Sequence, residues 1–251
     1  MQEYFNCAMD IGEQMLICGA EVHRVEDSIE RMCSALGATR TDVFIITTSM
    51  VVTVHTESGI ITQTRRITGS GTDIERLHKL NDLSRRICSS PQMTVDEIRN
   101  EYTTIKNSKK YPFWIECISY IVVAGSFTIF FGGGFLEALV SMLIGCLLRF
   151  IVFFADKAEL NKIFSKFICS LALSFFAFFA MSIGIISSID NVIIGNIMLL
   201  IPGVGLTNSL RDLLTGDSIA GLLRMIEAIL SALAIAAGYF LFIFLIGGNS
   251  L

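Results

Sequence analysis

A charged segment, residues 201–224, interrupts the most apolar part of the chain with the sequence IPGVGLTNSLRDLLTGDSIAGLLR. Arg211, Asp212 and Asp217 lie within this segment, and Glu227 follows shortly after its end. Ionisable side chains close to membrane depth are costly to bury, and they commonly bind ions, protons or charged substrates. The segment therefore predicts a site where Asp212 and Arg211 bind a proton or a charged ligand.

Helix-breaking residues in the same segment favour a discontinuous membrane helix. Pro202 removes a backbone donor, and the glycines that follow it allow backbone conformations that other residues resist. We expect unwound backbone over residues 203–208, where polar side chains such as Asn208 would offer hydrogen bonds to a ligand. The alternative is that Pro202 and Gly203 end a span at the membrane surface and that residues 211–217 form a cytoplasmic loop.

Composition indicates a membrane protein. The 251 residues are 53% hydrophobic and 17% charged, and the mean hydropathy is +0.64, which is too apolar for an ordinary soluble domain. Of the 19 Lys and Arg residues, 13 precede Tyr111, as do 15 of the 23 Asp and Glu residues. The sequence thus predicts a soluble domain over residues 1–110 and a transmembrane domain over residues 111–251. The net charge of −4 is modest and indicates no nucleic-acid partner.

Five apolar segments beyond Pro112 are long enough to cross a membrane, since about 20 residues span its hydrocarbon core. They are Trp114–Phe131, Phe135–Phe154, Ile163–Ile186, Val192–Leu210 through the break, and Ile219–Ile246. Basic residues in alternate connections, including Lys109 and Lys110 before the first span, predict a cytoplasmic amino-terminal domain and an outside carboxyl terminus. The amino terminus lacks a basic region followed by an apolar run, so no cleavable signal peptide is expected.

Patterns of both helices and strands occur before the first span. Apolar residues recur every three or four positions in three segments, and Thr94 with Glu97 predicts a capping box at the start of a fourth helix. Residues 42–68 are rich in β-branched types, and Ser58-Gly59 is a plausible hairpin turn between two of the strands. The cytoplasmic domain is therefore expected to be α+β, with helices on one face of a short sheet.

Three other features could carry chemistry but have simpler explanations. His23, Glu26 and Asp27 have a helical spacing that could bind a metal, yet no second histidine stands at i+4, which favours a surface histidine and no metal. The sequence GSG at 69–71 lacks the rest of a phosphate-binding loop, which favours a cap or turn. The seven cysteines are scattered without a CxxC pair, and no GxSxG elbow occurs. We therefore expect reduced thiols, no cofactor and no catalysis.

Motifs from nearly the whole chain resemble the threonine/serine exporter family. They are GAEVHRVEDSIERMCSALG at 19–37, TTSMVVTV at 47–54, the pair Arg65-Arg66, and PGVGLTNSLRDLLTGDSIAGLLRMIEA at 202–228. The chain is similar to the larger subunit of the two-component exporters in that family, whose substrate class includes succinate. The resemblance implies a proton-driven exporter of threonine, serine or small dicarboxylates. It also implies a second, smaller membrane subunit as partner, and a homo-oligomer is an additional expectation.

The family's motifs, carried onto this sequence, single out residues in both domains. They are Glu21, Arg24 and Glu26 in the cytoplasmic domain, and Pro202, Gly203, Asn208, Arg211, Asp212, Gly216 and Asp217 in the membrane domain. We expect alternating access in the cell inner or plasma membrane. Asp212 or Glu227 would carry the proton, and Arg211 would meet a substrate carboxylate.

Two other classes of function remain open from the sequence. A membrane-anchored sensor or scaffold would use the cytoplasmic domain to bind a ligand or protein, and the spans as an anchor. A membrane enzyme is the other alternative, although no constellation of nucleophile, base and oxyanion donors is visible. The residue types do not distinguish threonine, serine and succinate, because a few hydrogen-bonding groups suit all three.

Overall fold

The structure, a computed structural model, describes residues 2–69, 71–90, 93–108 and 111–247. Ser70 of the GSG sequence lies outside the described residues, as do Lys109 and Lys110, on which the predicted orientation partly rests. The chain divides into two compact units, Met1–Lys109 with Gly203–Ile226, and Lys110–Pro202 with Glu227–Leu251. Residues 203–226 therefore group with the amino-terminal elements, although the sequence pattern assigned them to the membrane domain.

Helices and one small sheet make up the amino-terminal part of the first unit. The helices are α1 (Gln2–Ile17), α2 (Val22–Ala35), α3 (Ile74–Ser89) and α4 (Val95–Lys106), and the strands are β1 (Arg40–Ile46), β2 (Ser49–Thr56) and β3 (Gly59–Arg66). The sheet is antiparallel, with the strand order β1-β2-β3. Thr56 pairs with Gly59, so Glu57 and Ser58 form the turn, one residue earlier than the predicted Ser58-Gly59.

The apolar stripe of α2 and the inward face of β2 contribute to one hydrophobic core. Val22, Val25, Ile29 and Met32, which recur at helical spacing, are all fully buried. Met50, Val52 and Val54 of β2 alternate along the strand and are buried as well, as expected for a strand with one face on a core. The predicted capping box forms at α4, where the Glu97 amide and the Thr94 hydroxyl are 3.3 Å apart.

Six further helices follow residue 110 among the described residues. They are α5 (Phe113–Phe130), α6 (Phe135–Lys157), α7 (Lys162–Ser182), α8 (Ile189–Ile197), α9 (Gly203–Thr215) and α10 (Ser218–Gly247). Four stretches are long and apolar enough to cross a membrane: Phe113–Phe130, Phe135–Lys157, Lys162–Ser182 and Ser218–Ile246. They correspond to predicted spans one, two, three and five.

The fourth predicted span, Val192–Leu210, is not one helix in the structure. It is divided between α8, which has 9 residues, and α9, which belongs to the first unit. Nine helical residues cover roughly 14 Å, far less than the hydrocarbon thickness of about 30 Å. Pro202 stands between the two helices, where its missing N–H and its ring oppose helix continuation. The outside position of the carboxyl terminus depended on a fifth crossing, and it stays a prediction.

Close helix packing in the second unit explains why α8 contains a glycine. A Cβ atom added at Gly195 would lie 2.1 Å from Oγ1 of Thr128 on α5. Only a residue without a side chain permits this approach, which is typical of helices that associate through small residues in membranes.

Candidate functional site

The predicted break folds as a helix followed by a turn, so the unwound backbone expected over residues 203–208 is not present. The segment Gly203–Thr215 is helical from its first residue, and the Thr207 hydroxyl donates to the carbonyl of Gly203 at 3.0 Å. The chain reverses instead at Gly216, whose φ of 104° favours glycine. Pro202 precedes the helix rather than interrupting it, so α9 keeps its internal hydrogen bonds.

Asp212 is the most deeply buried charged residue of this segment. Its side chain is 1% exposed, Oδ2 lies 3.1 Å from Nη1 of Arg224, and Oδ1 accepts a hydrogen bond from the Val22 amide at 3.3 Å. Val22 is the first residue of α2, where backbone N–H groups have no partner inside the helix and attract negative charge. Burial raises the pKa of Asp212, although Arg224 and the Val22 amide oppose this effect.

The turn between α1 and α2 meets other residues of the same motif. Asn208 donates to the carbonyl of Gly19 at 3.0 Å, and Arg224 donates to the carbonyl of Ala20 at 2.9 Å. Arg211 forms an ion pair with Glu21, which also lies 3.2 Å from Arg24. Within the first unit, the structure thus brings together the motif at 19–37, here called the amino-terminal motif, and residues 208–224, here called the α9–α10 motif.

A second group of ionisable side chains in the first unit consists of His23, Glu26 and Asp217. One potential ligand atom from each lies within 4.8 Å of the other two. Glu26 Oε1 accepts a hydrogen bond from the Ile45 amide of β1 at 3.0 Å. Burial, together with the nearby carboxylate of Asp217, raises the pKa of Glu26 to about 7. Asp27, which shares a helical spacing with His23 and Glu26, pairs with Arg31 at 2.8 Å instead.

Two predicted site residues belong to the second unit. Pro202 ends the connection after α8, and Glu227 is exposed on α10. Arg224 could have paired with Glu227 one helical turn away, but its ion-pair partner is Asp212. Gly203 has no atom within 4 Å of an added Cβ position, so its small size serves no packing contact among the described residues.

An open cleft of about 380 Å³, lined by several polar residues, lies among residues of α5 and α6 in the second unit. Its lining consists of Glu116, Ser119, Tyr120, Arg149, Val152 and Asp156. The Arg149 side chain is only 12% exposed, and its Nε donates to Glu116 at 2.9 Å. Its Nη1 is buried without a hydrogen-bond partner in the described part of the chain.

A buried polar cluster in the second unit was missed by the sequence interpretation. The Thr128 hydroxyl donates to Oγ of Ser141 at 2.6 Å, and Asn196 donates to the same oxygen at 3.1 Å. All three residues are completely buried. Each lies in a predominantly apolar helix, and polar residues in such helices usually hydrogen-bond to neighbouring helices.

The four long apolar helices and the ionisable groups enclosed between helices define a multi-pass membrane protein. The chain belongs to the family described as "Putative threonine/serine exporter", whose model matches residues 6–246.

Two curated relatives show moderate similarity over most of this chain. One is the threonine/serine exporter of Corynebacterium glutamicum, 23% identical over 242 residues, which are 93% of this chain and 49% of that protein. The other is pheromone-regulated membrane protein 10 of Eremothecium gossypii, 25% identical over 235 residues, 89% of this chain and 30% of that protein. The chain therefore spans about half or less of these relatives. No solved structure matches it significantly.

Proposed function

We propose that the chain is a subunit of a secondary-active exporter that moves small polar metabolites out of the cytoplasm. Threonine, serine and dicarboxylates such as succinate are the candidate substrates, and the proposed partner is a second, smaller membrane subunit of the same family. Family membership and the name of the Corynebacterium relative support export. The proposed location is the cell inner or plasma membrane, with the amino terminus in the cytoplasm and the carboxyl terminus outside.

The observation that carries this proposal is the cleft at Arg149. A guanidinium that is withdrawn from water and retains an unpaired N–H group is suited to bind a carboxylate. Asp156 and Glu116 line the same cleft and would attract the ammonium group of an amino acid. Arg211 is the second candidate for the substrate carboxylate, which would have to displace Glu21 from it.

Proton coupling is proposed at Asp212. A carboxyl group whose pKa is raised by burial takes up a proton at higher pH than it would in water. The neutral form would hold Arg224 and the Val22 amide less strongly, because both contacts depend on negative charge. Protonation would thus loosen α2 from the α9–α10 motif during an alternating-access cycle. Glu227, exposed on α10, is the second candidate for the proton carrier.

Efflux of labelled threonine, serine and succinate tests these assignments in cells that express the chain with and without the neighbouring membrane subunit. We expect efflux of at least one substrate only when both subunits are present. Asp212→Asn should make efflux independent of the proton gradient. Asp96→Asn, an exposed control on α4, should leave that dependence unchanged. Arg149→Lys should reduce efflux at least tenfold, and Lys157→Arg at the end of α6 should have no effect.

Failure of the parent pair to export any of the three substrates would contradict the exporter proposal. Normal proton-coupled efflux by Asp212→Asn and Glu227→Gln, expressed at parental levels, would instead reject the proton assignment alone. A sensor or scaffold stays the rival function, and it would be supported if vesicles containing both subunits transported nothing. We propose no enzymatic reaction for the chain.

A further inference from the structure

We propose that His23, Glu26 and Asp217 form a binding site for a divalent transition-metal ion of the Mn²⁺ or Zn²⁺ type. One imidazole and two carboxylates are a mixed nitrogen and oxygen donor set, which these ions accept. The site is independent of the proposed export function. It would fasten α2 to the junction between α9 and α10 within the first unit.

The geometry of the three side chains is compatible with a shared ion after a small adjustment. Their potential ligand atoms lie within 4.8 Å of one another, whereas ligands about 2.1 Å from one metal are at most roughly 4 Å apart. His23 is exposed, so its ring has room to turn toward the carboxylates. Glu26 is already oriented, because the Ile45 amide holds one of its oxygens at 3.0 Å.

A buried carboxylate oxygen without a hydrogen-bond partner is a second and independent indication of cation binding at this position. Oδ2 of Asp217 is buried and has no hydrogen-bond partner among the described residues. A carboxylate oxygen removed from water without a partner is costly, and a bound cation would satisfy it. Oδ2 of Asp212 also lacks a hydrogen bond among the described residues, but it has Arg224 as an ion-pair partner, and Asp27 has Arg31. Glu26 and Asp217 have no ion pair with lysine or arginine in the described ranges.

The position of Asp217 gives the site a structural consequence. Its carbonyl accepts the Gly221 amide at 2.9 Å, so it stands at the start of α10. His23 and Glu26 lie in the first two turns of α2. A metal bound by all three would therefore restrain α2 against the first turn of α10, close to the contact between Asp212 and Val22. Metal binding should slow local opening of α2 in the intact protein.

Binding of Mn²⁺ to the purified full chain tests the proposal, because thiolates of the seven cysteines compete poorly for this ion. Electron paramagnetic resonance of free Mn²⁺ should show one bound ion per chain. Glu26→Gln and Asp217→Asn should each weaken binding at least tenfold, while Glu30→Gln and Asp27→Asn on the same helix as Glu26 should change it less than twofold. Equal binding by the parent and the Glu26→Gln/Asp217→Asn double variant would overturn the proposal.

A variant that fails to fold would also lose Mn²⁺, so the parent protein needs a measurement of its own. X-ray absorption of the parent loaded with one equivalent of Zn²⁺ should show one imidazole with oxygen ligands. A sulfur-dominated coordination shell, or the absence of imidazole, would refute the site. Hydrogen exchange should become slower in α2 on addition of Mn²⁺, and unchanged exchange there would contradict the proposed link to α10.

Discussion

Replacing Glu26 by Gln should stabilise the first unit at alkaline pH when a chelator is present. Glu26 has a pKa of about 7 in the folded protein, against 4.5 for a glutamate in water, so folding disfavours its ionised form. At about 1.36 kcal/mol per pKa unit the difference is roughly 3 kcal/mol, and partial solvation reduces it to about 1–3 kcal/mol. Because this pKa is raised, its contribution favours folding at low pH and is lost as pH rises through 7. Gln cannot ionise, and its amide oxygen can still accept from Ile45.

Hydrogen exchange of α2 in the intact, detergent-solubilised protein measures this effect locally. At pH 8 the amides of Val22–Ala35 should exchange about 5- to 150-fold more slowly in Glu26→Gln than in the parent, which corresponds to 1–3 kcal/mol. The ratio of the exchange rate in the parent to that in Glu26→Gln should fall toward one near pH 4.5. Glu30→Gln, an exposed control on the same helix, should show no pH-dependent difference. A Glu26→Gln variant that exchanges as fast as the parent at pH 8, or that slows exchange equally at both pH values, would refute the reasoning.

Four other substitutions, one of them a control, test the fold. Thr94→Ala removes the capping box and should accelerate exchange in α4 by the equivalent of about 1 kcal/mol, without a change in α2. Gly195→Ala should lower the unfolding temperature of the protein in detergent, because the new Cβ would lie 2.1 Å from Oγ1 of Thr128 and overpacking costs about 1–3 kcal/mol. Gly203→Ala is its matched control: nothing lies within 4 Å of the added carbon, so an equal loss in both variants would contradict the packing argument. Gly216→Ala, at a φ of 104°, should cost about 1 kcal/mol, whereas a neutral result would show that the turn relaxes.

Local patterns predicted the regular elements well. The stripe of α2, the hairpin strands and the capping-box helix each follow from residues close together in sequence, and the structure confirms them. Long apolar runs likewise predicted the four helices that could cross a membrane. The fourth predicted span was expected to break at Pro202, and α8 and α9 do lie on either side of that residue, but the unwound backbone expected after it is helical. Mean hydropathy measures how apolar a segment is. It does not show which polar side chains form hydrogen bonds between packed helices.

The contacts of the candidate site could not be predicted from spacing, because they join residues about 190 positions apart. Asp212 and Val22 are adjacent in space only because α9 folds onto the start of α2 within the first unit. The family motifs at 19–37 and 202–228 contain both residues of each contact. They do not show which residue of one motif contacts which residue of the other.

The grouping of His23 and Glu26 illustrates the same difference between spacing and structure. Helical spacing selected Asp27 as their companion, since residues three and four apart share one face of a helix. Asp27, however, is four residues before Arg31, and that guanidinium lies 2.8 Å from its carboxylate. Asp217 takes its place from another element, where the turn at Gly216 positions it beside Glu26. Spacing along one helix therefore identifies two residues of the group, His23 and Glu26. The third, Asp217, can be found only from the three-dimensional structure.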